Sequence, residues 1–234
     1  MANLTGAERA RYVQGMFTRI AARYDLMNCL MTAGQDVHWR REVVRRASLP
    51  PAGRLLDLGA GTGDLAREAL RQCPGCTPVA ADFTLEMMRV GRASHAAANH
   101  SAWLGADALS LPFPDECFDA AVSGFLFRNV IDIPLALSEQ RRALKPGGRI
   151  VILDTTRPPQ NWLSPFIRFH LKVVIPALGR MVTGQGDAYN YLPDSTQSFL
   201  TAEQLAQHMQ SAGFQQVGFQ RFMLGTIAIN WGVK

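Results

Sequence analysis

Apolar side chains at Tyr12, Val13, Met16, Phe17 and Ile20 recur in steps of three and four, which predicts an amphipathic helix over 8 to 20 that caps one side of a site. A second helix is predicted from Asp36, with Trp39, Val43 and Val44 on one face and Arg40, Arg41, Arg45 and Arg46 elsewhere; Pro50-Pro51 stops it. The period then changes. Short apolar runs near 54 to 58, 77 to 82, 102 to 106, 118 to 124 and 149 to 154 alternate with helical patterns near 64 to 72, 84 to 98 and 132 to 143. Strand and helix in strict alternation read as a doubly wound sheet. After a helix near 200 to 213 come two alternating runs, Val217 to Phe222 and Thr226 to Gly232, joined by Met223-Leu224-Gly225. So short a connection forces an antiparallel pair. The expected fold is therefore α/β, a Rossmann-like, mostly parallel seven-stranded sheet with a C-terminal antiparallel hairpin. N-terminal helices and a helical insertion after the fifth strand complete it.

The first of these runs carries the chemistry. Leu55-Leu56-Asp57-Leu58-Gly59-Ala60-Gly61-Thr62-Gly63-Asp64 is a buried strand that stops at a tight turn and feeds a helix. Glycine at 59, 61 and 63 strips the turn of side chains, so a flat ligand can lie on its backbone. The dinucleotide fingerprint G-x-G-x-x-G would put its third glycine where Asp64 stands, and a carboxylate there would face a pyrophosphate. S-adenosylmethionine carries no phosphate and is cationic, which Asp57 and Asp64 suit better. A purely structural strand-to-helix turn would use the same residues, so the later strands decide. Pro78-Val79-Ala80-Ala81-Asp82-Phe83 ends in an acid 25 residues after Asp57, close to the spacing of a ribose ligand. Trp103-Leu104-Gly105-Ala106-Asp107-Ala108 ends in another, suited to an adenine amine. Any of these acids can instead be a helix N-cap, the role expected for Asp64. In Glu86-Met87-Met88, Met87 either lies against the adenine or belongs to the helix core.

Taken together, these residues resemble the class I S-adenosylmethionine-dependent methyltransferases. The marks are the loop from Asp57 to Asp64, Asp82, the Asp107-Ala108 pair and the Leu144-Lys145-Pro146-Gly147-Gly148 turn. Within that class the chain is similar, over nearly its whole length, to the ubiquinone/menaquinone biosynthesis C-methyltransferases. Four stretches carry this closer likeness: Phe17 through Asn28, Arg128-Asn129-Val130-Ile131-Asp132, Tyr189-Asn190-Tyr191-Leu192 with Ser195, and Trp231-Gly232. The resemblance implies S-adenosylmethionine as cofactor, held by Asp57, Gly59, Ala60, Gly61, Thr62, Gly63, Asp82, Phe83, Met87, Asp107, Ala108 and Gly124. It also implies a polyprenylated quinol, such as demethylmenaquinol, as acceptor. Arg128, Asn129 and Tyr189 are the expected catalytic residues, with Asp187 and Tyr191 nearby. Arg128 stays protonated, so it is expected to stabilise a phenolate, with Asn129 orienting it or the acceptor. Asp132 is expected to cap the next helix, and His170 to lie at the surface. The chain departs from the family where Ser-Phe-Gly-Leu-Arg-Asn is usual and Gly124-Phe125-Leu126-Phe127-Arg128-Asn129 stands here. Asp194-Ser195-Thr196 replaces Glu-Ser-Ile, and Asn230 replaces a histidine. Leu126 and Phe127 suggest a shift to another small aromatic acceptor, and a non-catalytic cofactor-binding scaffold is the reading from another class.

At 234 residues the chain suits one α/β methyltransferase domain, with 1 to 50 a helical cap and 158 to 199 an insertion for the acceptor. A composition of 47% hydrophobic and 18% charged residues excludes disorder. The formal charge of +5 comes without a basic run interleaved with aromatics, so nucleic acid is disfavoured while anionic lipid stays open. Trp162, Phe166, Phe169 and Val173, interrupted by Arg168, His170 and Lys172, fit core packing, an apolar tunnel or a membrane surface. With a polar start and no stretch long enough to span a bilayer, the protein is expected in the cytoplasm, at most peripheral at the inner face of the membrane. A homodimer is compatible with this. No metal is expected: Cys73-Pro74-Gly75-Cys76 has no second pair, and it follows a helix whose negative end raises a thiol pKa.

Overall fold

The computed structural model describes residues 6–94, 101–157, 173–174, 196 and 199–234. Three helices open the chain, α1 (Gly6–Ile20), α2 (Tyr24–Thr32) and α3 (Gln35–Ala47), with one 3-10 turn, Ala21–Arg23, between the first two. The alternating part follows as β1 (Arg54–Leu58), α4 (Asp64–Gln72), β2 (Thr77–Asp82), α5 (Leu85–Ser94), β3 (Ala102–Gly105), β4 (Phe118–Gly124), α6 (Ile133–Ala143) and β5 (Leu144–Thr155). It closes with α7 (Ala202–Ser211), β6 (Gln215–Phe222) and β7 (Ile227–Val233). The seven strands lie in the order β3-β2-β1-β4-β5-β7-β6. β1 to β5 run parallel, while β7 is antiparallel to both β5 and β6. This is the expected doubly wound sheet with its terminal hairpin.

Alternation along the strands sends neighbouring side chains to opposite faces. Leu55, Val151 and Leu153 pack under Trp39 and Val43 of α3 and Leu65 of α4. Leu56, Leu58, Ile150 and Ile152 pack under Leu137 of α6 and Leu205 and Met209 of α7. Each such fully buried aliphatic side chain contributes about 1.5–3 kcal/mol, so these two layers fix the sheet that positions everything else. Asp132 caps α6 as expected, its Oδ1 accepting the Leu135 N–H at 3.0 Å. A capping box starts α7, where Thr201 and Gln204 exchange backbone and side-chain bonds.

Three elements differ from expectation. α2 was not anticipated, because its polar residues Asn28 and Thr32 are buried while Leu26 and Leu30 are exposed. A helix with its polar positions inward inverts the pattern that periodicity reads. β5 begins at Leu144 instead of near 149. Phe118 pairs with Leu144 and Ala120 with Arg149, so the Lys145-to-Gly148 turn is a bulge within the strand. Asp64 is not a helix cap: Gly63 holds the N-cap position with φ +83° and Asp64 opens the first turn of α4. The acceptor insertion lies almost wholly outside the described residues. Among the described residues no helix is long and apolar enough to cross a membrane.

Candidate active site

Strand order reverses between β1 and β4, the position where open α/β sheets gather ligands beyond the carboxyl ends of their strands. Gly59 follows β1 and Gly124 ends β4. The loop between β1 and α4 takes positive φ at Gly59, Gly61 and Gly63 (69°, 56° and 83°). A Cβ at Gly59 would sit 2.9 Å from Leu126 Cδ1, and one at Gly61 would sit 3.3 Å from Met87 Cε. Both glycines are thus set by conformation and by close approach. The Gly59 and Ala60 N–H groups donate to the Ala81 carbonyl at 2.8 and 3.1 Å, and Gly61 N–H donates to Asp82 Oδ2 at 2.8 Å. Adjacent strand ends thereby hold the loop's shape.

On one side of this loop opens a cleft with about 160 Å³ of free interior space, lined largely by apolar surface. Gly59, Gly61, Asp82, Phe83, Met87, Asp107, Ala108, Gly124 and Asn129 all line it, which brings together most of the residues expected to hold a nucleoside. Asp82 also accepts the Thr84 N–H on Oδ1 at 2.6 Å. Burial raises its pKa, and the Thr84 and Gly61 amides oppose the rise. The Thr84 side chain also hydrogen-bonds this carboxylate. Asp107 is exposed and folded into a turn by the Leu109 N–H at 2.9 Å. Phe83 shows 48% of its surface at the mouth. Val13, Gln14 and Phe17 of α1 form the roof, and Gln14 Nε2 donates to the Phe83 carbonyl at 3.1 Å. The apolar stripe of α1 announced these lining positions.

Behind the loop lies a smaller and more polar pocket, with about 40 Å³ of free interior space. Asp57 is 1% exposed; Oδ2 accepts the Ala66 N–H at 2.9 Å, and Oδ1 has no partner among the described residues. Burial, reinforced by the charges of Asp64 and Asp82, pushes its pKa up to about 7. Asn28, on the same wall, is a buried amide whose side chain hydrogen-bonds Tyr24. Arg40 bridges Asp36 (3.0 Å) and Asp64 (2.7 Å), and Arg67 also pairs with Asp64. Asp64 is therefore taken up by two arginines, although burial still raises its pKa. Thr62 Oγ1 donates to Asp25 Oδ1 at 2.7 Å. Thr62 and Ala60 line this pocket and not the cleft. Among the residues lining the pocket, the acids Asp57 and Asp64 outnumber the one arginine, Arg40, so the pocket favours a cation.

Tyr24 lines both spaces. It hydrogen-bonds Asn28, and burial raises its pKa above the ordinary 10.0, so its hydroxyl stays protonated and can donate at neutral pH. In the sequence it entered only as a family mark.

The Arg128 side chain is 4% exposed, with Nη1 2.9 Å from Asp154 Oδ1, while its backbone N–H donates to Asp154 Oδ2 at 3.2 Å. It lines neither of these two spaces and forms a buried ion pair behind the wall. Asn129 does line the cleft, with Nδ2 3.4 Å from the Phe125 carbonyl. Phe125 holds φ +60°, a strained value for a phenylalanine, at the wall shared by cleft and pocket. Leu126 faces the cleft, but Phe127 is wholly buried in the core. Tyr189, Asp187, Tyr191 and His170 lie outside the described residues. Cys73 and Cys76 form no disulfide, and burial, with the Cys73 thiol beside it, lifts Cys76 to about 11. Among the described residues no cluster of three metal-ligating side chains occurs.

The family model described as the ubiE/COQ5 methyltransferase family matches residues 4–234. The chain belongs to this family. A ubiquinone/menaquinone biosynthesis C-methyltransferase UbiE of Desulfotalea psychrophila is 47% identical over 222 residues, covering 95% of this chain and 90% of the relative. A demethylmenaquinone methyltransferase of Roseiflexus castenholzii is 41% identical, covering 97% and 95%. Among solved structures, a putative methyltransferase in complex with the Trm112 activator of Haloferax volcanii superposes with a TM-score of 0.65 at 19% identity, covering 93% and 96%. That likeness concerns the fold. As a member of the ubiE/COQ5 family the protein is a methyltransferase, with its glycine loop where the strand order reverses.

Proposed function

We propose that this ubiE/COQ5-family enzyme moves a methyl group from S-adenosylmethionine to a ring carbon of a polyprenylated quinol, such as demethylmenaquinol. The donor reading rests above all on Asp57 Oδ1, a buried acceptor in the small pocket with no partner among the described residues. The ammonium of an amino-acid tail meets that acceptor, and the Asn28 amide on the same wall donates to the tail's carboxylate. A nucleoside then occupies the cleft, its ribose on Asp82, its amine on Asp107 and its base between Met87 and the edge of Phe83. The names of relatives at 47% and 41% identity support the quinol.

When bound, S-adenosylmethionine supplies an electrophilic methyl, which leaves the protein the tasks of aligning the acceptor and excluding water. Val13 and Phe17 close the roof with apolar surface. The quinol hydroxyl gives its proton to solvent, Tyr24, kept protonated, donates to the phenolate oxygen so formed, Asn129 holds the ring from the opposite wall, and the ring proton that the methyl replaces leaves to solvent after transfer. Arg128, paired with Asp154, positions the segment from Phe125 to Asn129. On this reading the enzyme works in the cytoplasm and meets its acceptor at the inner face of the membrane. Leu126, pressed against Gly59, trims the space beside the loop. Phe127, in the core, gives no support to a different acceptor.

The test is a turnover assay with purified enzyme, labelled cofactor, and either demethylmenaquinol in vesicles or a soluble short-chain quinol. Label on a ring carbon of the quinol is the expected product. Label on neither quinol, with adenosylhomocysteine still bound in calorimetry, would leave a cofactor-binding protein of another role.

A further inference from the structure

The outer face of α2 is apolar where a surface helix should be polar. Leu26 is 54% exposed and Leu30 43%, with Cys29 and Ala33 exposed beside them. These four stand at steps of three, one and three, a single helical face. The polar residues of the same helix point inward: Asp25 accepts from Thr62, Asn28 lies in the small pocket, and Thr32 donates to Asp36 at 2.9 Å. Scattered exposed leucines need no account, but a helix that buries its polar side chains and shows its leucines has its outer face matched to an apolar medium.

Charge says which medium. Arg19 and Arg23, both exposed, lie in the turns leading into α2, and the acids nearest in sequence, Asp25 and Asp36, are turned inward onto Thr62 and Arg40. A row of leucines led by arginines on a protein of formal charge +5 matches an anionic bilayer surface, leucines among the acyl chains and guanidinium groups at the phosphates.

We propose that the enzyme docks on anionic membrane through the outer face of α2, with Leu26 and Leu30 entering the interface. The same helix carries Tyr24 and Asn28 on its inner side, so docking brings the cleft to the surface where a prenylated quinol lies. The proposal rests on the quinol reading for its purpose, but its measurement does not.

The experiment is sedimentation of the whole protein with phosphatidylglycerol or phosphatidylcholine vesicles, for the unmodified chain and for Leu26→Asp/Leu30→Asp. The unmodified protein should partition into phosphatidylglycerol at low salt and release at high salt. The double variant should lose partitioning by about tenfold or more. Turnover of a soluble short-chain quinol should be equal in both proteins, which also shows the variant folded, while turnover of vesicle-borne quinol should fall with partitioning. Equal partitioning of the two proteins, or none by the unmodified one, overturns the proposal. A change of molecular mass in light scattering would reassign the face to self-association and overturn it too. If vesicle binding behaves as described and neither quinol is methylated, the acceptor reading fails and the docking face stands.

Discussion

The cleft and the pocket share the glycine loop and are built on opposite terms. The cleft is wide, roofed by Val13 and Phe17, and its acid Asp82 has both oxygens held by backbone amides. The pocket is narrow and more polar, and its acid Asp57 keeps one oxygen without a partner among the described residues, at a pKa of about 7. Two strand-end carboxylates of equal sequence rank thus differ in kind: one is part of the loop's scaffold, the other a vacancy for a cation. An acid that shapes the backbone and an acid that waits for charge fail in different ways when replaced.

The largest effect is expected behind the wall the two spaces share. Arg128→Ala leaves Asp154 buried without its partner and should cost about 3–5 kcal/mol in urea unfolding. A loss of turnover with unchanged stability would return Arg128 to the acceptor side. Asp82→Ala should come next. It removes the partner of the Gly61 and Thr84 amides as well as the proposed sugar ligand, and calorimetry with adenosylhomocysteine should record a loss of about 2–3 kcal/mol, close to a hundredfold.

Asp57→Asn should lower affinity for the cationic cofactor by roughly 1–2 kcal/mol at pH 8 and, unlike Asp82→Ala, flatten its pH dependence. In the native protein the ionised form binds the cation. Affinity should therefore rise from pH 5 to about 7, level off above, and release a proton on binding below that point. Stability moves the other way. A carboxyl whose folded pKa exceeds its unfolded value of about 3.9 holds its proton more tightly in the fold. Its stabilising contribution is complete below that value and is lost as pH rises to about 7. Asp57→Asn should accordingly be more stable than the native chain at pH 8 in thermal unfolding, and less distinct at pH 4. The smallest change is Gln14→Ala, which unties the roof from the Phe83 carbonyl; about 0.5–1 kcal/mol of cofactor affinity is expected.

The sheet was legible because its central strands are buried on both faces and read as short apolar runs, and because Asp82 and Asp107 mark strand ends by spacing. α2 was not, since a helix with its polar residues turned inward contradicts the periodicity that would reveal it. Asp57 and Asp64 looked alike on the page; only the arginines of α3 and α4, distant or unremarkable in sequence, distinguish a paired acid from an unpaired one. Arg128 carried a family mark that named a position and not a partner. Asp154, 26 residues on, decided its surroundings.

The bond from Thr62 to Asp25 ties two distant places together. Thr62 sits at the bend of the glycine turn, and Asp25 is one residue from Leu26, whose side chain faces the other way. The glycine turn and the helix that bears the outward leucines are thus anchored to one another by a single short bond.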